Sequence, residues 1–273
     1  MGDGAKRLPL AASVVLLREA EGDEPFEVFM LRRPDTARFA PGAYSFPGGV
    51  LDATDYEVAR EVIAPLPGGT TVEVITRRVE SPPGFAVPDA ATTGALLICA
   101  ARELFEEAGV LLVREETGGQ LPLDNEARWA AAREDLLAGA LSFRALLRED
   151  NLTIAPDDLP YFAHWITPES SRIRFDTHFF LGVLPPGQLA THWAGEMAAG
   201  EWFGPRAGLS RHARGEMPML QVQVSHLERF ARFDTLDALL DHARTKAVPP
   251  VLPVRAAADA HAATLPEEVA ECW

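Results

Sequence analysis

The sequence predicts an α/β (α+β) protein built on a mixed β-sheet, and three observations carry that prediction. Two β-rich runs at 14–17 and 27–31 flank an acidic turn at 21–25, the pattern of a hairpin. A strongly apolar helical run starts near Thr92 and ends in Arg102-Glu103-Leu104-Phe105-Glu106-Glu107-Ala108-Gly109-Val110. Two further stretches, 161–166 and 175–183, have the aromatic and β-branched content of sheet strands.

In chain order, residues 8–17 read as a first strand and not as a signal peptide, because the apolar run is short, contains Pro9 and Ser13 and passes directly into Arg18-Glu19. Arg32-Arg33-Pro34 ends the second strand. Phe46-Pro47-Gly48-Gly49 then predicts a sharp, irregular loop in which the glycines permit positive φ and close approach of a ligand. Residues 56–91 hold several Pro and Gly, show no sustained helical period and include one expected strand, at 71–75. From Thr92 the chain is expected to be helical until Gly109 stops it. Helices at 125–138 and 142–149, joined at Gly139, suit a packing or capping role. A short strand at 201–203 leads through Gly204-Pro205 into a helix near Ala207, and 221–232 and 236–243 read as helices before the extended segment 248–253. The chain reads as one domain over 1–273, with an insertion at about 56–91 and helical elaborations at about 125–149 and 221–243.

Composition narrows the function classes. A formal net charge of −15 in 273 residues argues against a nucleic-acid partner, which would need basic patches. An acidic protein that handles phosphates needs local arginines and a metal to overcome its own field. Cys99 and Cys272 give neither a disulfide framework nor a metal-ligand spacing, and Cys99 reads as a small buried apolar residue. No stretch is long and apolar enough to span a membrane, so the expected location is the cytoplasm.

Glu103, Glu106 and Glu107 stand at i, i+3 and i+4, so a helix projects their carboxylates from one side. Taken alone, this is also the pattern of a solvated acidic face. Like charges so close are relieved by a hard divalent cation, since Mg²⁺ accepts carboxylate and phosphate oxygens together. Phe46 to Gly49 lie about fifty residues upstream, where a glycine carbonyl could join such an ion.

These residues resemble the signature of the Nudix hydrolases: glycine, five residues, glutamate, seven residues, then R-E-U-x-E-E-x-G-U with U aliphatic. Arg102, Glu103, Leu104, Glu106, Glu107, Gly109 and Val110 match the second half, and Gly49 matches the start. Asp55 stands where the family has glutamate, and 46 residues separate it from Arg102 where the family has seven. Added loop length costs little closure entropy. The resemblance implies a Nudix fold, with the mixed β-sheet sandwiched between helices. It also implies hydrolysis of a nucleoside diphosphate linked to another group, with Mg²⁺ or Mn²⁺. Glu103, Glu106, Glu107 and the Gly49 carbonyl would hold the metal, Arg102 would pair with Glu106, and Gly48 would meet substrate.

One branch of the family hydrolyses coenzyme A and its thioesters and carries the upstream pattern L-L-T-x-R-(S/A)-x3-R-x3-G-x3-F-P-G-G. Arg33, Arg38, Gly42 and 46–49 match it in register, while Leu31 replaces Thr and Pro34 replaces Ser or Ala. Arg33 and Arg38 suit a substrate with an additional 3′-phosphate; they also read as ordinary surface arginines. The general base is Glu103 or a glutamate outside the box, with Glu196 and Glu201 as candidates. His164 and His178 read as core or sheet-face residues, and Asp176 either positions substrate or forms a buried ion pair. The expected substrate is coenzyme A or acyl-coenzyme A. The alternatives are ADP-ribose, NADH or a nucleoside triphosphate, or a Nudix-fold binding protein without catalysis. The partners expected are the small-molecule substrate and a second copy of the chain in a homodimer, with neither nucleic acid nor membrane.

Overall fold

The computed structural model describes residues 8–38, 40–115, 118–119, 121, 126–255 and 263–264. Cys272 and Asn125 lie outside them. Strand β1 (Leu10–Glu19) is the spine of the molecule, and every residue from 11 to 17 is buried. It pairs antiparallel with β2 (Phe26–Arg32) across the expected hairpin. The chain continues through β3 (Tyr44–Ser45), β4 (Gly48–Val50), α1 (Ala53–Val62), α2 (Val72–Thr76) and α3 (Ala90–Ala108). Next come β5 (Arg114–Glu115), α4 (Glu126–Leu137), α5 (Phe143–Glu149), β6 (Leu152–Thr153), β7 (Tyr161–Ile166) and β8 (Asp176–Val183). It continues with β9 (Ala199–Phe203), α6 (Pro205–Ala213), α7 (Gln221–Phe230), α8 (Leu236–Thr245) and β10 (Pro250–Val251), and then the short antiparallel pair β11 (Val254–Arg255) and β12 (Ala263–Thr264).

The main sheet runs β10-β7-β8-β1-β2-β3, with β4 also on β1 and β9 also on β2. It is mixed, because β1 pairs parallel with β8 and antiparallel with β2 and β4. Side chains alternate across a strand, so the two faces of β1 feed two cores. Ala12, Val14 and Leu16 pack with α3 and its neighbours, while Val15 and Leu17 pack with α7 and α8. A strand covered on both faces reads as a near-continuous apolar run, which is what 11–17 is apart from Ser13, whose hydroxyl donates to Pro47 O at 2.7 Å. The sheet is therefore sandwiched between helices, as the resemblance implied.

Three local expectations are corrected. Residues 71–75 are not a strand: Thr71 caps a short helix, its hydroxyl accepting from Val74 N at 3.4 Å, and only Ile75 is buried. The alternating Val-Glu-Val-Ile carries no helical signal of its own. Residues 53–62 form a helix that the sequence hid, because only Val58 and Val62 supply a buried apolar stripe beside Asp55. Finally, neither Gly48 nor Gly49 has a positive φ; both lie in β4, paired to Ser13 and Ala12. Their glycine character serves close packing: a Cβ at Gly48 would stand 2.5 Å from Ala12 O, and one at Gly49 would stand 2.4 Å from the Glu103 carboxylate.

Candidate active site

Helix α3 starts on the Asp89 side chain, which accepts from Thr92 N at 2.8 Å, and ends at Gly109 in the left-handed region with φ 70°. Its first half is buried on nearly every side, and its last two turns present Arg102, Glu103 and Glu106 to a surface shared with β4. Glu107 turns inward, 7% exposed, and accepts Gly48 N–H at 2.9 Å. The glutamate face and the Phe-Pro-Gly-Gly segment are thus one site, joined by a bond between residues 59 apart in sequence.

Arg102 is the hub. Its Nε and Nη2 donate to the two oxygens of Asp55, each at 3.0 Å. Its Nη1 donates to Glu103 Oε1 at 2.7 Å and to Glu106 Oε1 at 3.3 Å. Asp55 is 1% exposed, and its carboxylate also accepts Asp52 N–H at 2.9 Å as part of the capping box that starts α1. The shortened acid is thereby accommodated: α1 begins on it, which brings its backbone close enough for an aspartate to reach Arg102. The expected pair of Arg102 with Glu106 is present, and Asp55 and Glu103 share the same guanidinium.

The electrostatics follow from burying three acids around one arginine. Burial raises the Glu107 pKa to about 8 and the Glu103 pKa to about 7. Gly48 N–H opposes the shift at Glu107, and Arg102 opposes it at Glu103. Glu106 is raised in the same direction, by burial first and then by the charge of Glu196 among others. Arg102 is raised above its ordinary value: burial pulls it down, but its hydrogen bonds to Asp55 and the charges of Glu103 and Asp55 outweigh that. One arginine does not neutralise four carboxylates. The donor set is all oxygen, which fits a hard divalent cation. The Gly49 carbonyl faces α3 one turn before Glu103, 3.7 Å from Cys99 Sγ.

Among the described residues, one group of three metal-ligating side chains brings its donor atoms within 4.8 Å of one another, and it is His164, Asp176 and His178, not the glutamates. These three lie inside the sheet. His164 Nε2 and Asp176 Oδ1 are 2.5 Å apart, a direct hydrogen bond, and His164 Nδ1 donates to Glu80 O at 2.9 Å. Donor atoms around a tetrahedral ion stand ~3.3 Å apart, so the 2.5 Å contact leaves no space for one. His178 pairs with Tyr161 OH, and burial keeps it neutral, well below the ordinary histidine range. Asp176 is thus engaged inside the sheet by its hydrogen bond to His164, and both histidines are core residues.

The remaining expected site residues divide. Arg33 is half-buried, and its charge works against the rise in the Glu107 pKa. Arg38 is exposed on the loop between β2 and β3, with no described contact to the glutamates. Glu201 lies in β9, where the short strand was expected, and is engaged: it accepts from Tyr44 OH at 2.5 Å and from Arg211 at 2.7 and 3.2 Å. Glu196 is exposed in a turn, has no side-chain partner among the described residues, and its charge raises the pKa of both Glu106 and Glu107. Sequence reasoning missed Arg133, which reaches from α4 to the carbonyl of Glu106 at 2.9 Å. An arginine in an Ala- and Leu-rich helix gives no signal of that role.

The family model described as the NUDT19 Nudix domain matches residues 4–230. The chain is 30% identical over 241 residues to human acyl-coenzyme A diphosphatase NUDT19, an alignment covering 79% of this chain and 63% of that protein. It is 29% identical over 268 residues to the Gallus gallus protein of the same name, covering 84% and 69%. In structure it is similar to a NUDIX hydrolase from Alicyclobacillus acidocaldarius, with a TM-score of 0.63, 28% identity, and coverage of 86% of this chain and 96% of that one.

Proposed function

This chain belongs to the NUDT19 Nudix domain family of Nudix hydrolases, and on that premise we propose that it is a metal-dependent diphosphatase. Its substrate is coenzyme A or acyl-coenzyme A, cleaved to 3′,5′-ADP and (acyl-)4′-phosphopantetheine. The observation that carries the reading is the glutamate face of α3, joined to β4 by Gly48 N–H and braced through Arg102 to Asp55. The relatives named acyl-coenzyme A diphosphatase support the substrate, as does Arg33 beside the cluster, which offers a second phosphate a bidentate donor.

Glu103, Glu106, Glu107 and the Gly49 carbonyl would hold Mg²⁺ or Mn²⁺. Bound there, the ion lowers the charge of the diphosphate and acidifies a water. Arg102 opposes the protonation of Glu103 and Glu106 and orients them, and Gly48 N–H fixes Glu107. Glu196 is the better general base: Glu103 is already tied to Arg102 and packed on Gly49. Glu201 is excluded from that role by its ties to Tyr44 and Arg211. Arg33, with Arg38 on the adjoining loop, receives the 3′-phosphate. Residues 1–273 act as one domain in which 56–91 is an insertion that braces the box. Among the described residues no helix is long and apolar enough to cross a membrane; the enzyme works in the cytoplasm, and self-association into a homodimer is measurable by light scattering.

Incubation with Mg²⁺ or Mn²⁺ and a panel of coenzyme A, acyl-coenzyme A, ADP-ribose and NADH tests the proposal. Release of 3′,5′-ADP from coenzyme A is the expected result. Turnover of ADP-ribose alone overturns the substrate, and full activity of Glu106→Gln overturns the metal site.

A further inference from the structure

Helix α4 sends one buried charge inward. Arg133 is 7% exposed, and its hydrogen-bond partners are neutral oxygens. Its Nε donates to Glu106 O at 2.9 Å, Nη1 to Thr191 Oγ1 at 3.1 Å and Nη2 to Thr191 O at 3.2 Å. A buried guanidinium without an ionic partner is costly, and a packing role alone would be met by an apolar residue. Burial lowers its pKa to about 10, while the charge of Glu107 works against that.

The contacts of Arg133 converge on one junction. The last turn of a helix leaves carbonyls without partners. Here Gly109 N takes that of Phe105, Arg133 takes that of Glu106, and Thr191 N takes that of Ala108 at 2.9 Å. Gly109 is needed for a second reason besides its φ, since a Cβ there would stand 2.9 Å from Arg133 Nη1. Beyond Thr191, the guanidinium lies 5.8 Å from the Trp193 ring centre. Trp193 in turn organises the loop: its carbonyl accepts from Glu196 N at 3.1 Å and Met197 N at 2.9 Å, and a Cβ on Gly195 would stand 2.5 Å from its indole nitrogen. Glu196, whose charge acts on Glu106 and Glu107, is carried on this turn.

We propose that Arg133 is a positioning residue that locks the 191–197 loop onto the C-terminal turn of α3 and so holds Glu196 over the glutamate face. The inference rests on the reading of that face as the diphosphatase site, with Glu196 as the base. It makes α4 part of the active-site support. The three bonds need a planar fork; an ammonium at this position does not bridge Glu106 O and both Thr191 oxygens at once.

The test is a double-mutant cycle on coenzyme A hydrolysis. Arg133→Lys keeps the charge and is expected to lower kcat about 10–100-fold, the scale of a misplaced base, with KM within about twofold. In a Glu196→Gln background the same change is expected to cost nothing further. Thr191→Val, which removes only the hydroxyl, is expected to show a smaller loss with the same dependence on Glu196, and it carries the cycle if Arg133→Lys does not fold. An equal loss with and without Glu196 overturns the proposal, as does wild-type kcat in both variants. If Glu106→Gln keeps full activity, the site reading itself has failed; if Glu106→Gln is inactive and the cycle is additive, only the role of Arg133 is lost.

Discussion

Replacing Asp55 with alanine removes the brace between the two halves of the split box. Asp55 is 1% exposed and accepts two hydrogen bonds from Arg102, each at 3.0 Å. Breaking a buried pair costs about 3–5 kcal/mol when the surviving charge is stranded. Arg102 is not stranded: its side chain is 15% exposed and keeps Glu103 and Glu106. A loss at or just below the bottom of that range, about 2–3 kcal/mol, is therefore expected, with roughly 1 kcal/mol more from the lost capping box at the start of α1. For a chain of this size each kcal/mol moves Tm by about 2–4 °C, so the variant should melt roughly 6–16 °C lower in EDTA. The released guanidinium is then free to close on Glu103 and Glu106, and the Mg²⁺ concentration needed for half-maximal activity should rise. In a cycle with Arg102→Met the two losses should be far from additive. Thermal melts with and without EDTA, and a Mg²⁺ titration of activity, read both effects. A Tm within about 2 °C of wild type with an unchanged Mg²⁺ requirement would refute the brace.

Further outcomes follow from the same geometry. Glu103 and Glu107, raised to about 7 and about 8, bind protons in the folded state that the unfolded chain releases near pH 4.3; buried His226 and half-buried His242, lowered to about 3 and about 4, act oppositely up to pH ~6.5. The uncontested window is thus about pH 6.5–8, where the urea midpoint in EDTA should fall as pH rises, and saturating Mg²⁺ should flatten the decline; a midpoint that climbs through that window contradicts the assignment. Glu196→Gln should lower kcat about 10²-fold or more as loss of a general base, whereas Glu201→Gln, which loses a half-exposed pair with Arg211, should cost at most about 1 kcal/mol of stability and leave kcat unchanged; the reverse ranking in steady-state kinetics would reassign the base. Gly109→Ala forces an L residue to φ 70° and a Cβ 2.9 Å from Arg133 Nη1. A loss of about 1–2 kcal/mol in denaturant melts is expected from the left-handed strain alone, with a drop in kcat beyond it; wild-type kcat in a folded variant would separate Gly109 from the loop.

Local chemistry was legible wherever a residue's role is set by its near neighbours. The hairpin of β1 and β2, the aromatic strands β7 and β8, and helix α3 with its glutamates and Gly109 stop all follow from periodicity and turn residues. The roles that escaped depend on partners far away in sequence. Asp55 looked like a weakened family position until Arg102, 47 residues on, was found on its carboxylate. Gly48 and Gly49 suggested unusual dihedrals, but their smallness admits Ala12 O and the Glu103 carboxylate, which the sequence does not place there. Glu196 and Glu201 were alike as candidate bases; Tyr44 and Arg211, on other elements, distinguish them. Residues 71–75 failed for a different reason, because a five-residue alternation fits either period and only the Thr71 cap decides it.

The insertion follows the same logic of distant partners. Residues 56–91 do not simply loop away from the site. Helix α1 starts at the Asp55–Arg102 contact, and a Cβ placed on Gly94 would stand 3.3 Å from Ile63 and 3.5 Å from Ala59, so α1 runs back along α3 towards its N-terminus. The far end is anchored too, with Glu80 N and Val248 N each joined to the opposite segment and the Glu80 carbonyl held by His164. Loop closure over so many residues is an entropic cost that grows only slowly with length, and here it is offset at both ends by buried polar contacts. Arg102 is bonded on one side to the start of the insertion and on the other to Glu103 and Glu106. The orientation of those two carboxylates is consequently coupled to the packing of α1 on α3, and substitutions along that packing seam, remote from any diphosphate, should shift metal affinity before they shift the fold.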